Sequence, residues 1–200
     1  MRSSALILGC QGCDCEVGEA VLAGKTELKP SENDYDWLGS GVYFWENNPT
    51  RAMDWADFVK NNPKVSRSRV RNPFVIGAII DPGNCLDLLE ANSIRILDES
   101  YAGLSELLRL MGTPMPKNQR HGNEWAVRRL DCAVVNHVHE FREGAGETEF
   151  DTVRAAFLEG EPLYPSAGFH RRTHIQLCVR RNAQIIGYFR PRDWTNADSK

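Results

Sequence analysis

Apolar residues fall into short alternating or continuous runs interleaved with helical stripes, a mixture that predicts an α+β domain. Ala5-Leu6-Ile7-Leu8-Gly9-Cys10 reads as a first strand, with Gln11-Gly12-Cys13 as its exit and Cys13 in the turn beyond. Asp14 is placed to cap a helix carrying Val17, Ala20 and Val21 on one face, and Gly24 ends it, because glycine accepts the left-handed backbone of a helix terminus. Val42-Tyr43-Phe44-Trp45 is wholly β-branched or aromatic and predicts a strand. Gly39 and Gly41 just before it permit a kinked lead-in and close approach by another group. Asn48 as N-cap and Pro49 at the first helical position open a second helix, in which Ala52, Trp55, Ala56 and Val59 share a face that turns Trp55 toward the core or a cleft.

Phe74 to Ile80 is a continuous apolar run, predicting a buried strand stopped by the turn Asp81-Pro82-Gly83. Leu104, Leu107, Leu108 and Met111 form one helical stripe; Leu130, Ala133, Val134, His137, Val138 and Phe141 form another and place His137 as a hydrogen-bonded core histidine. Phe150 to Phe157 alternates, with Val153, Ala155 and Phe157 on one side and Asp151 and Arg154 at a cleft edge. His174 to Val179 alternates strictly, so Ile175, Leu177 and Val179 face the core and His174, Gln176 and Cys178 face the other way. Ala183 to Phe189 predicts a last strand.

A length of 200 residues, 42% hydrophobic and 26% charged, suits one globular domain. The net charge of −3 gives no global attraction to nucleic acid, so phosphate contacts must come from local groups. The alternating Arg67, Arg69 and Arg71 could supply them, although a solvated charge run is the plainer reading. Neither a membrane-length apolar run nor a secretory leader pattern is present, which predicts a cytoplasmic protein with no membrane partner. Six cysteines are then expected as reduced thiols. Cys10-x-x-Cys13-x-Cys15 has thiolate-ligand spacing but no second closely spaced pair, so no metal is expected.

Gly39-Ser40-Gly41-Val42-Tyr43-Phe44-Trp45, followed by Arg51-Ala52, resembles the Gly-x-Gly-Ile-Tyr-Phe-Ala motif of diphtheria-toxin-like and poly(ADP-ribose)-polymerase-like ADP-ribosyltransferases. The whole chain is similar to small bacterial proteins of that fold, among them toxins of toxin–antitoxin and phage-defence systems. The resemblance implies a single domain over 1–200, with two small, mostly antiparallel sheets forming an NAD cleft between flanking helices. It implies an enzyme that uses NAD as substrate, a mono-ADP-ribosyltransferase moving ADP-ribose to a macromolecular acceptor, nucleic acid or protein, with release of nicotinamide. An antitoxin protein is the further partner implied.

Carried over position by position, Gln11 stands where the family has the histidine that bonds the adenine-side ribose, and it either keeps that role or is a turn residue. Gly12 would hold the nicotinamide carboxamide through its backbone, with Cys13 as the small residue beside it. Gly41 opens the motif strand, Tyr43 stacks under nicotinamide, and Trp55 or Trp45 supplies the opposite wall. Gln176 lies eight residues before Gln184, at the position of the catalytic glutamate, and keeps a hydrogen bond without the charge. In the punctuated loop from Glu159 to Phe169 and just beyond it, Tyr164 and Phe169 would stack on the acceptor and Arg171 and Arg172 would hold phosphates, unless the loop is only packed surface.

Cleaving the nicotinamide–ribose bond passes through an oxocarbenium-like cation, and one well-placed electrostatic contact is worth about 3–4 kcal/mol there. Glutamine at 176 therefore leaves three outcomes. The transferase is slow or relies on its nucleophile, or a carboxylate comes from Glu159, Glu161 or Glu46. Otherwise the chain is an impaired relative, an NAD, ADP-ribose or nucleic-acid binding module.

Overall fold

The computed structural model describes residues 5–66, 68–121 and 124–192. Strand β1 (Ile7–Asp14) does not stop at Cys10 as expected. Gln11, Gly12 and Cys13 stay in the ladder, opposite Ile76, Val75 and Phe74 of β3 (Pro73–Ile80), because β3 offers a partner at every position down to Pro73. Asp14 ends the strand. Its carboxylate accepts from the backbone N–H groups of Glu16, Arg71 and Asn72, capping α1 (Cys15–Leu22) and tying the loop ahead of β3 to it. On α1 the buried positions are Gly18 and Val21, while Val17 is exposed, because the bare Gly18 backbone lets the Phe74 ring lie against the helix. Gly24 takes φ +67 just past the helix end, as predicted.

Strand β2 (Val42–Glu46) leads into α2 (Pro49–Asn61), where the Asn48 side chain accepts from Arg51 N–H and Pro49 occupies the first turn. The chain then passes through β3, β4 (Cys85–Asp87) and α3 (Ala91–Leu110) to the separate hairpin of β5 (Asn118–His121) and β6 (Glu124–Arg128). Helix α4 (Arg129–Gly144), β7 (Thr152–Phe157), β8 (His174–Val179) and β9 (Ile185–Phe189) complete it. A short 3₁₀ turn at Asn182–Gln184 takes up the start of the expected last strand.

The class is α+β, as the periodicities predicted. Instead of two sheets, seven strands hydrogen-bond in the order β4-β7-β8-β2-β1-β3-β9, antiparallel apart from the β4–β7 pair. The join between β1 and β2 is narrow: its register runs through Gly9 opposite Glu46 and Cys10 opposite Trp45. Beyond Cys10, β1 continues with β3 while β2 continues with β8, so the sheet divides into two halves.

One face packs Val42, Phe44, Ile76, Ala78, Ile80, Leu177 and Val179 with Val21 of α1. On the other face, Ala52 of α2 packs on Cys10, Trp45 and Val75. Val135 and Val138 of α4 pack on Leu86, Val153, Ala155, Phe157 and Cys178. Two helices thus share that face, α2 over β1 and β3, α4 over β4, β7 and β8. Their contact stripes are narrower than expected: Leu107, Met111 and Phe141 are exposed, and the core histidine is His139, not His137. The α4 surface that meets the sheet is centred on Val135 and Val138, which carries His139 inward and leaves His137 at the margin.

Candidate functional site

Between the two helices lies the strip of sheet where β2 meets β8. Trp45 stands opposite Gln176, and Tyr43 opposite Cys178, so all four share this face. On its other flank Gln176 pairs with Ala155 of β7, and its side chain is half-buried.

The glycine turn ahead of β2 is fixed from several sides. Gly39 has φ +75, and a Cβ on Gly41 would press on Cys178 Sγ and the Val179 carbonyl, so both positions require glycine. The Tyr43 hydroxyl donates to Gly39 O at 2.6 Å and accepts from Leu38 N–H at 2.8 Å. Ser40 N–H donates to Asn136 of α4, and Arg180 donates to Ser40 O. Burial drives the Tyr43 phenol well above its usual pKa, so it remains a neutral hydrogen-bonding group.

Gln11 is not brought to this strip. It is presented with Ile76 on the opposite face, since its neighbours Cys10 and Gly12 face α2, and its Oε1 is buried without a hydrogen bond. Gly12 has a packing reason of its own, because a Cβ there would collide with the Ala52 carbonyl oxygen of α2. Cys13 packs beside Phe74 near Gly18, and burial pushes its thiol up to about 12. Three residues apart in one strand, Cys10 and Cys13 point to opposite faces. Among the described residues, no group of three or more His, Cys, Asp or Glu is arranged to hold a metal ion.

Where β8 begins and β7 ends, the strip runs into a charged and aromatic cluster that the sequence did not assemble. His174, on the same face as Gln176, has a side chain that is 0% exposed. Its Nδ1 lies 2.7 Å from Arg172 O and 3.7 Å from Glu159 Oε2. Glu159 in turn accepts from Arg51 of α2 at 2.9 Å, and these two side chains are only 14% and 15% exposed. Arg128 lies 4.0 Å from the Trp37 ring centroid and 5.0 Å from that of Phe157. The rings of His174, Trp45 and Trp55 follow one another at 6.4 and 6.3 Å between centroids. Trp55 is not a core residue: at 38% exposure it carries this row of rings out to solvent. Three polar atoms of the cluster, His174 Nε2, Trp45 Nε1 and Arg51 Nε, are buried without a hydrogen bond.

His174 was legible as a residue sharing the Gln176 face. Arg51 and Glu159 were not visible as a pair, being 108 residues apart and joined only by the fold. The other suggested carboxylates lie elsewhere. Glu46 is gripped by Arg154 on the opposite face, together with Asp87, and Glu161 is exposed. Asp151 and Arg154 are thereby structural: Asp151 accepts from Asn84 N–H and faces Arg181.

The loop between β7 and β8 folds back on itself through a Pro162–His170 bridge and the Leu163–Phe169 backbone bond. At its tip Tyr164 and Phe169 are 57% and 68% exposed. Arg171 is also exposed and reaches the Leu163 carbonyl, whereas Arg172 belongs to the base of the loop, where its backbone meets Glu159 O and its own carbonyl faces His174. Of the basic run, Arg67 lies outside the described residues, and Arg71 is held through its backbone by Asp14. Among the described residues no helix is long and apolar enough to cross a membrane.

An uncharacterized protein of Methanocaldococcus jannaschii is 26% identical over 192 residues, covering 88% of this chain and 82% of that one. No family model matches the chain, and no solved structure does.

Proposed function

We propose that the chain is an NAD-dependent mono-ADP-ribosyltransferase with an ADP-ribosyltransferase fold, whose reaction takes place over the Trp45–Gln176 strip. The observation that carries this reading is the pairing of Trp45 with Gln176 and of Tyr43 with Cys178, directly behind the rigid Gly39–Gly41 turn. The motif that prompted the resemblance and the position of the replaced glutamate are thereby neighbours on one face. The parting of β1 from β2 beyond Cys10, within one sheet, supports the reading.

In this reading NAD enters past Trp55, whose half-exposed ring and the Trp45 ring flank the nicotinamide. Tyr43 acts chiefly by holding the turn, because both hydrogen-bonding functions of its hydroxyl are occupied by backbone. Gln176 bonds the nicotinamide-side ribose. The exposed Tyr164–Phe169 tip is the acceptor-facing surface, suited to stacking on a base or an aromatic side chain. An antitoxin covering the Trp55 opening belongs to the same reading.

The test is incubation of the purified protein with NAD labelled on its adenine half, together with cellular protein, RNA and DNA, for wild type and Gln176→Ala. Label fixed on one fraction by wild type and lost in the variant is the expected result and names the acceptor class. The neutral amide at 176 favours one second reading, a module that binds NAD or ADP-ribose without cleaving it. Measurable binding with neither fixed label nor free nicotinamide would select it.

A further inference from the structure

His174 is the most deeply placed polar side chain of the cluster, and its hydrogen bonding is lopsided. The Arg172 carbonyl can only accept, so at 2.7 Å it fixes the ring proton on Nδ1 and leaves Nε2 as an acceptor lone pair. That lone pair is buried and unmatched, on the face shared with Gln176 and within the row of rings that reaches solvent at Trp55. A buried acceptor without a donor destabilises the fold, a penalty that a ligand O–H removes. Two of its neighbours, Trp45 Nε1–H and Arg51 Nε–H, are buried donors without acceptors. A hydroxyl, which donates and accepts, matches this set.

We propose that His174 is the proton acceptor of the site, its Nε2 taking the proton of a hydroxyl nucleophile while Glu159, held by Arg51, faces the ring from the Nδ1 side. The inference rests on the transferase reading above and names the class of acceptor, a hydroxyl group. In the step, the hydroxyl proton passes to Nε2 as its oxygen bonds the anomeric carbon of the nicotinamide-side ribose. The bond to nicotinamide breaks with its electron pair leaving on nicotinamide, and the imidazolium then returns the proton to water. NAD and the hydroxyl compound become the ADP-ribosylated product, nicotinamide and one proton. The geometry favours the neutral ring at rest. Burial lowers the His174 pKa below 6.5, the Arg172 carbonyl opposes this, and the nearby Arg51, Arg172 and Arg128 charges lower it further. Glu159 at 3.7 Å is the one carboxylate set against them in the described contacts of His174. The carboxylate missing at 176 is in this account supplied to the ring, not to the ribose.

The experiment compares wild type, His174→Gln and Glu159→Gln, each as the full chain, with thermal unfolding run alongside. Nicotinamide release and NAD affinity are measured over a pH series. The expected result for His174→Gln is a loss of about 100- to 10,000-fold in kcat with NAD affinity changed less than about threefold. Wild type should lose activity on the acid side at a pH below the ordinary imidazole range, because burial holds the His174 pKa down, and Glu159→Gln should move that acid limb to lower pH, because removing the carboxylate beside the ring disfavours imidazolium. A folded His174→Gln protein with wild-type kcat overturns the proposal. So does an unmoved limb in Glu159→Gln, which decides the matter alone should His174→Gln not fold. Wild type that neither binds nor cleaves NAD sinks the transferase reading and this inference with it, whereas active wild type matched by His174→Gln sinks the inference alone.

Discussion

Trp45 of β2 and Gln176 of β8 stand opposite each other, so the Gln176 amide lies beside an indole, with a second indole, Trp55, 6.3 Å beyond. The strip is thus bounded by aromatic surface on the α2 side.

Trp55 is exposed enough to be removed without opening the core. Trp55→Ala should weaken NAD binding by about tenfold, since an aromatic contact contributes about 0.5–1.5 kcal/mol beyond area burial. Stability should change little. Titration calorimetry with NAD, paired with urea unfolding, checks both; unchanged affinity would remove Trp55 from the site.

Gly12 has two competing explanations, ligand and packing. Because a Cβ would collide with Ala52 O, Gly12→Ala should destabilise the fold by about 1–3 kcal/mol. Urea unfolding measures this. A variant of wild-type stability that no longer binds NAD would instead return Gly12 to the ligand.

Tyr43→Phe removes the hydroxyl that bridges Leu38 N–H and Gly39 O. The turn loses a donor and an acceptor at once, and stability should fall by about 1–3 kcal/mol. If the ring rather than the hydroxyl serves NAD, affinity per folded molecule stays within about threefold. A large loss of affinity at full stability would contradict the holding role assigned to the phenol.

His139 is 3% exposed, both its ring nitrogens are buried without hydrogen bonds, and burial, then the Arg180 and Arg142 charges, lower its pKa to about 3. The unfolded chain takes up a proton near 6.5 that the folded protein refuses until about 3, so stability falls as pH drops through that window. The slope from this group approaches about 1.4 kcal/mol per pH unit. His139→Leu should flatten that limb and leave stability at neutral pH unchanged or higher. Denaturant midpoints measured across the window decide it.

Local chemistry made much of this fold legible. Asp14, Asn48 and Pro49 announced their helix starts, and Val153, Ala155 and Phe157 announced a buried strand face. What sequence could not supply was pairing across the chain. The extension of β1 through Asp14 depends on β3, and the burial of His139 in place of His137 depends on which face of α4 packs on β7 and β8. The strict alternation of β8 placed His174 and Gln176 together, but that strand is covered on both faces, so alternation did not mark one as solvent. Gln11 was placed by resemblance at a strand end; inside a continuing strand, the period of two carries it to the opposite face from Tyr43 and Gln176.

The most direct test of the transferase reading is nicotinamide release from NAD by purified wild type and Gln176→Glu. The account predicts slow release by wild type and a rise of about 100- to 1,000-fold in the variant, the scale of one restored electrostatic contact at the ribose cation. Release from neither protein, with NAD left intact, would contradict it.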